Sequence, residues 1–288
     1  MIKLGLIGYP VSHSLSPKIH NAALMACGLR GDYSLFPIHP DDTQGLREML
    51  NYVLTEEIHG LNVTIPHKHT VIPLLDELTP IARTIGAVNT IYSREKKLIG
   101  DNTDVPGFLS DLKRFSSLEC DDLLVNMEAQ ALQKSALILG AGGGARAVVY
   151  ALLNDGWQIA ISTRRREQAG ELADTFKNHD LHILDSGLTN MDLSNISLVV
   201  NTTPVGMAPN IGQSPWPEGF PLPARSSIYD LVYSPRETKL VRDARAQGLY
   251  ATTGLGMLIE QAALAFKIWT GQYLPREALY ETLDQFAH

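Results

Sequence analysis

The sequence predicts an α/β protein of two domains. Short apolar runs of strand character alternate with helical stretches along the chain, the rhythm of parallel sheets covered by helices on both faces. At about 150 residues per domain, 288 residues divide into two. The rhythm restarts in the second half, where a glycine-rich turn separates an apolar run from a helical pattern.

Each element has a local reason. Ile2–Ile7 is an apolar run closed by Gly8-Tyr9-Pro10, a strand and loop. Ser16-Pro17 opens a helix, with serine as cap and proline at the first position. Tyr33–Ile38 is a second strand, Thr43–Val53 a helix, and Gly60–Ile65 a third strand closed by Pro66. Leu74–Ile85 reads as helix, Ala87–Tyr92 and Leu98–Asn102 as strands, and Asn102-Thr103-Asp104 as a turn. Ser116–Lys134 lacks periodicity and is the linker candidate. Beyond it, Ala136–Leu139, Gln158–Thr163, Leu181–Leu184, Leu198–Asn201 and Ser227–Leu231 read as strands. Ala145–Asn154, Glu167–Lys177 and Glu237–Gln247 read as helices, and the Pro- and Gly-rich Asn210–Arg225 as a long loop.

Composition excludes several classes. With 44% hydrophobic and 19% charged residues the chain has the means to build cores, so disorder is excluded. Twenty-four Lys and Arg against 31 Asp and Glu give a net charge of −7, without the basic field that nucleic acid or an anionic membrane surface requires. The most apolar long window, Ser135–Leu153, is broken by Gly140, Gly142, Gly143, Gly144 and Arg146, so it reads as strand, turn and helix instead of a membrane span. The N-terminal Met1–Gly8 is too short for a signal peptide. Cys27 and Cys120 form no CxxC, which points to a reducing compartment and a cytoplasmic location.

The glycine turn is the first chemical signal. Gly140-Ala141-Gly142-Gly143-Gly144-Ala145 fits G-x-G-x-x-A between a strand and a helix. The first glycine permits the turn, the second admits a pyrophosphate to the backbone, and a small third residue lets helix pack on strand. Free N–H groups and the positive dipole end of the helix favour phosphate there. A Rossmann-like dinucleotide domain follows from this context. The next strand ends in Thr163-Arg164-Arg165-Arg166, where an NAD site usually carries a carboxylate for the ribose 2′-OH. A guanidinium fork matches a 2′-phosphate, so NADP(H) is expected over NAD(H), with Arg164 placed best and Arg166 least well.

The first half holds polar groups suited to a small polar ligand. Ser14 and Ser16 lie two apart before a helix, where in extended chain both hydroxyls point one way toward a carboxylate. Asn62-Val63-Thr64-Ile65-Pro66-His67-Lys68 puts Asn62 and Thr64 on one strand face and Lys68 past the strand's carboxyl end, where ligands gather in open α/β sheets. Gly86–Thr90 and Gly100–Asp104 add polar groups after apolar runs. Gln261 interrupts an apolar helical face formed by Met257, Leu258, Leu264, Ala265 and Ile268, so it is either a satisfied core amide or a site residue. His67 and His69 lack the carboxylate or cysteine partners of a metal set, and none is expected. His13 beside Ser14 lacks a nucleophile elbow, and Tyr92 and Trp269 read as packing residues.

Together the runs SHSLSP, NVTIPHK, GAVNT, GDNTD, GAGGGAR, NTTPVGM, YDLVYSPRETKL and GLGMLIEQA resemble the shikimate dehydrogenase family, in that family's order and across nearly the whole chain. The resemblance implies NADPH-dependent, reversible reduction of 3-dehydroshikimate in aromatic amino acid biosynthesis. By motif position it implies that Ser14, Ser16 and Tyr233 hold the substrate carboxylate, and that Thr64, Asn89, Asp104 and Gln261 hold ring hydroxyls. Lys68 and Asp104 would form the catalytic pair. Gly140, Ala141, Gly142, Gly143, Gly144, Thr163, Arg164 and Arg165 would bind NADP(H), with Leu231 and Gly254 lining the nicotinamide. It further implies a substrate-binding domain over 1–108, to which 257–288 return, an NADP-binding domain over 109–256, and an active site in the cleft between them. Thr253, Pro80 and the length of Ser116–Lys134 depart from the family pattern. A quinate or dual quinate/shikimate dehydrogenase is the nearest alternative, and a non-catalytic NADP-sensing module the alternative of a different class. The expected partners are the small-molecule substrate and cofactor, on a monomer or homodimer.

Overall fold

The computed structural model describes residues 1–123, 134–177, 179–184, 188, 192–274, 276 and 279–280. The chain divides into two units, Met1–Gly107 with Ile259–His288, and Phe108–Leu258.

The first unit is built on β1 (Ile2–Gly8), β2 (Gly31–Pro37), β3 (Gly60–Val63), β4 (Glu77–Leu78), β5 (Thr90–Arg94) and β6 (Lys97–Asp101). Its helices are α1 (Ser16–Ala26), α2 (Thr43–Leu54), α3 (His67–Thr70) and α4 (Pro80–Ile85), joined by the start of α5 (Asp104–Leu123) and most of α9 (Leu255–Thr270). Leu46, Met49, Leu50 and Val53 bury one stripe of α2 at helical spacing, against Ile7, Leu61, Val63 and Ile91. The Asp42 side chain caps that helix, accepting from the Gly45 amide at 2.8 Å.

The sheet order is β2-β1-β3-β5-β6-β4. It is mixed, which corrects the expectation of parallel sheets throughout. β1 runs parallel to β2 and β3, but β5 is antiparallel to both β3 and β6. The cause is the tight turn at Glu95-Lys96, both at positive φ (53° and 60°), which is too short for a parallel crossover.

Other local expectations also shift. Ser16 is the first residue of α1, after Leu15, and not a side-chain cap. β3 stops at Val63 and β5 starts at Thr90, three residues later than the apolar run suggested. Leu74–Ile85 is not one helix: it contains a 3-10 turn ending at Leu74, then β4, then α4. Asp76 accepts from the Leu98 amide at 2.7 Å, drawing β4 onto β6. Thr79 then caps α4, accepting from the Ala82 amide at 3.4 Å, with Pro80 in its first turn. The helix α5 departs from the sequence reading, in which Asn102-Thr103-Asp104 is a turn and no helix follows. The expected linker Ser116–Lys134 begins inside it, and residues 124–133 of that range lie outside the described residues.

The second unit carries β7 (Ser135–Leu139), β8 (Gln158–Ser162), β9 (Leu181–Ile183), β10 (Leu198–Asn201), β11 (Ser227–Asp230) and β12 (Ala251–Thr253). Helix α6 (Gly143–Asn154) lies between β7 and β8, α7 (Arg166–Thr175) between β8 and β9, and α8 (Lys239–Ala246) between β11 and β12, while most of α5 precedes β7. All pairings are parallel, in the order β12-β11-β10-β7-β8-β9. Numbered from β7, that is the doubly wound order 3-2-1-4-5-6, whose switch point lies beside the first strand. β7 and β10 are buried almost throughout, as a strand covered on both faces requires. Among the described residues no helix is long and apolar enough to cross a membrane, and no group of three or more His, Cys, Asp or Glu suits a metal ion.

Candidate functional site

In the first unit, polar side chains converge at the carboxyl ends of β3 and β6. The reversal of β5 matters here. Thr90 opposes both Asn62 and Asp101, so Asn89, just before β5, reaches the edge at which β3 and β6 end. Lys68 is the second residue of the short α3. That turn is held from two sides: His67 Nε2 pairs with the Ile38 carbonyl at 2.8 Å, and the Lys68 carbonyl accepts from the Val88 amide at 2.8 Å.

The Lys68 ammonium donates to Asp104 Oδ2 at 2.7 Å, with the two side chains only 17% and 11% exposed. Asn89 Nδ2 donates to the other oxygen, Asp104 Oδ1, at 2.8 Å, and to Thr103 Oγ1 at 3.0 Å. Asn89 Oδ1 in turn accepts from the Thr103 amide at 2.7 Å. Asp104 is the first residue of α5, where the helix dipole favours a negative charge. Asn102 prepares that position. Its Oδ1 accepts from the Asp104 and Val105 amides at 3.0 and 3.3 Å, and its Nδ2 donates to the Ala87 carbonyl at 3.1 Å. In the sequence Asn102 and Thr103 belong to a polar run to which no role attaches. Their signal was the close spacing of short polar residues at a helix start.

The remaining first-unit candidates separate into smaller groups. Ser14 Oγ donates to Ser16 Oγ at 3.1 Å and accepts from the Ser16 amide at 3.2 Å. The two hydroxyls meet because the chain turns into α1, not through extended alternation. Thr64 lies one residue past β3, so it does not share a strand face with Asn62; its amide donates to the Ile7 carbonyl at 2.9 Å. Asn62 is buried and engaged, accepting from the Tyr33 hydroxyl at 2.8 Å and donating to the Asn89 carbonyl at 3.1 Å. Gln261 on α9 is buried against Gly107 of α5, where a Cβ would lie 2.8 Å from the Gln261 nitrogen. Beneath this edge His20 stacks on Tyr33 with centroids 4.3 Å apart. Both its ring nitrogens lack a hydrogen-bond partner among the described residues. Burial holds its pKa down at about 3, and the nearby Asn62, whose amide nitrogen donates to the Asn89 carbonyl and not to the ring, offsets this only in part.

The second unit supplies a cradle for an anion. Gly140 adopts φ +106°, and a Cβ there would lie 2.8 Å from Thr202 Oγ1, so the turn requires glycine. Ala141 is buried beside it, while a Cβ on Gly142 would meet open space, leaving the backbone approachable. Gly142 caps α6 without a side-chain bond, so no cap claims the first amides of the helix, at Gly143 and Gly144. Leu231 stands 3.8 Å from a Cβ built on Gly144, and its carbonyl is in close contact with Gly254. At the end of β8, Ser162 accepts from the Gly140 amide at 2.8 Å, which sets Thr163 next to the turn. Thr163 Oγ1 accepts from the Arg165 amide at 3.1 Å. Arg164 and Arg165 are exposed, and neither guanidinium pairs with a carboxylate among the described residues. Tyr233 lies on the segment after β11, and burial pushes its hydroxyl pKa up.

A 3-2-1-4-5-6 sheet with a glycine turn at its switch point, joined to a unit that pairs lysine, aspartate and asparagine at a sheet edge, defines a dinucleotide-dependent oxidoreductase. Residues 6–91 match the family model for the shikimate dehydrogenase substrate binding domain, and residues 254–283 that for the shikimate 5′-dehydrogenase C-terminal domain. The chain is 42% identical to the shikimate dehydrogenase (NADP(+)) of Salinibacter ruber, covering 96% of this chain and 95% of that protein. The crystal structure of shikimate 5-dehydrogenase from Thermus thermophilus with NADP(H) and shikimate superposes with a TM-score of 0.83 at 35% identity, covering 99% of both chains. The quinate dehydrogenase of Corynebacterium glutamicum with NAD gives 0.81 at 32%, again covering 99% of both. The chain belongs to the shikimate dehydrogenase family.

Proposed function

We propose that this protein is an NADP-dependent shikimate dehydrogenase, reversibly reducing 3-dehydroshikimate to shikimate in aromatic amino acid biosynthesis. The observation that carries the reading is the Lys68–Asp104–Asn89 network. It offers a mobile proton and an anchored carboxylate in one place, as ketone reduction requires.

The second unit fits a dinucleotide phosphate: a Cβ at Gly142 would meet open space, and Arg164 and Arg165, just past β8, pair with no carboxylate among the described residues. Gly140–Gly144 would hold the pyrophosphate and Thr163–Arg165 the 2′-phosphate, with Leu231 and Gly254 against the nicotinamide. When bound, the cofactor supplies the hydride. Lys68 donates a proton to the ketone oxygen as it becomes an alcohol, and takes it back in the reverse direction. Asp104 orients the ammonium through Oδ2 and accepts from a ring hydroxyl. Asn89 keeps Asp104 in place. Thr64 and Gln261 complete the hydroxyl contacts, while Ser14, Ser16 and Tyr233 donate to the carboxylate. The first unit thus binds substrate and the second NADP(H), in a cytoplasmic monomer or homodimer.

A quinate dehydrogenase is the specific rival, because a quinate enzyme of the family is this similar. Quinate carries one more ring hydroxyl and needs one more polar partner. Arginines in place of a ribose-binding carboxylate favour NADP, and with it shikimate. The test compares oxidation of shikimate and quinate with NADP and NAD. Highest kcat/KM for shikimate with NADP is expected. Preference for quinate with NAD overturns the assignment, and absence of any turnover leaves a non-catalytic NADP-binding module.

A further inference from the structure

Asp230 takes no part in the chemistry above, yet its carboxyl group is fully buried where β11 ends. Oδ1 accepts from Asn201 Nδ2 at 2.7 Å and from the Val232 amide at 3.0 Å. Oδ2 accepts from Thr238 Oγ1 at 2.7 Å. Thr238 is itself buried and caps α8, accepting from the Val241 amide at 3.3 Å. One carboxyl group therefore ties both ends of the segment that joins β11 to α8. That segment bears Leu231 and Tyr233. Asn201 extends the tie to the end of β10, where its Oδ1 accepts from the Thr203 amide at 2.9 Å.

We infer that Asp230 is a positioning residue: its carboxyl group latches the Leu231–Thr238 segment, and its charge state sets how often that segment opens. The functional weight of the latch rests on the reading that Leu231 and Tyr233 meet the ligands. The direction follows from solvation. The groups acting on Asp230 are the Asn201 amide, the Val232 N–H and the Thr238 hydroxyl, with Thr253 its register partner on β12; none is charged. Burial, with no cation acting on it among the described residues, raises its pKa to about 6, although all three hydrogen bonds pull the other way. Opening would return the carboxyl group to water and to its ordinary value of 3.8. The closed segment thus holds the proton more tightly than the open one. Acid favours closure, and rising pH between those two values favours opening, by up to about 100-fold in the open-to-closed ratio. Above them the ratio is flat.

Asparagine tests this without removing the latch. In Asp230→Asn, Oδ1 accepts as before and Nδ2 donates to Thr238 Oγ1, as the protonated acid would. Amide hydrogen exchange of residues 231–238 is followed in the intact, ligand-free protein from about pH 4.5 to 8, corrected for intrinsic rates, alongside KM and kcat for NADPH. Expected is a wild-type opening ratio that climbs through about pH 6 and then levels. Asp230→Asn should stay at the acid level at every pH. Asp230→Ala should open at every pH, raising KM about tenfold with a smaller effect on kcat, while α6 amides keep their protection. An Asp230→Asn profile that tracks wild type overturns the inference, as does wild-type protection in Asp230→Ala; if the alanine variant does not fold, the asparagine profile decides. The exchange needs no substrate, so failure of shikimate turnover refutes the proposed reaction and leaves the latch to be judged by its own data.

Discussion

Replacing Lys68 with alanine removes two things that can be measured separately. The first is the proton donor. General acid catalysis contributes about 10²–10⁴-fold, which corresponds to about 3–5 kcal/mol of barrier. The second is the partner of Asp104. Breaking a buried pair costs about 3–5 kcal/mol when the remaining charge is left alone. Here it is not alone: Asn89 still donates at 2.8 Å, the Asp104 side chain is 11% exposed, and it starts a helix. The stability loss should therefore be nearer about 1–2 kcal/mol. Steady-state kinetics of shikimate oxidation, dinucleotide titration and thermal unfolding read the parts independently. Expected are a kcat reduced at least 100-fold, NADPH affinity within about threefold of wild type, and a modest fall in Tm. A variant retaining more than about a tenth of wild-type kcat would refute the assignment of Lys68 as proton donor. Equal losses in kcat and NADPH affinity would point to general damage instead.

Three further outcomes follow from other parts of the molecule. Arg164→Asp should weaken NADPH binding far more than NADH binding, by about 10-fold or more in titrations; equal loss for both dinucleotides would remove the guanidinium from the 2′-phosphate. His20 is held neutral, with its pKa at about 3 against an ordinary 6.5, so the unfolded chain takes up its proton first as pH falls. Stability contributed by neutral His20 is then present above pH 6.5 and is lost progressively toward pH 3; denaturant titrations should show a shallower acid loss in His20→Phe, and an unchanged acid slope would contradict this burial account. Gly107→Ala places a Cβ 2.8 Å from a backbone nitrogen of α9, which forces α5 and α9 apart and should destabilise by about 1–3 kcal/mol in chemical unfolding; a neutral result would show that the two helices have room to separate.

Some of this architecture was legible because its causes are local. The β7–turn–α6 unit follows from an apolar run, glycines and a second apolar run within twenty residues, and the position of Arg164 just past the end of β8 follows from counting to the next strand end. The rest was hidden by local signals that tertiary structure overrides. Pro106 and Gly107 disguise the start of α5, yet proline is tolerated in a first turn, where no intrahelical N–H bond is lost. The reversal of β5 depends on two residues at positive φ, neither of them glycine, and that reversal brings Asn89 to Asp104. Ser14 and Ser16 were chosen for extended spacing but meet through a turn. Asp230 passed as the last polar residue of a strand; only the fold reveals the three donors around it. Chemistry with short-range geometry can be read from local pattern, whereas chemistry assembled by strand order, such as the Lys68–Asp104–Asn89 network, enters the sequence reading only through the family resemblance.

The β5–β6 turn has a practical use. Arg94, Glu95, Lys96 and Lys97 are exposed, and both strands run their length between this turn and the Asn89–Asp104 edge. Exposed loop tips tolerate added residues when the ladder behind them is intact. A short peptide epitope or a fluorophore-bearing cysteine spliced between Glu95 and Lys96 would therefore sit at the far end of the hairpin from the ammonium of Lys68. The bend that makes this sheet mixed is thus a natural port for immobilising or labelling the protein while its chemistry is watched at the opposite end.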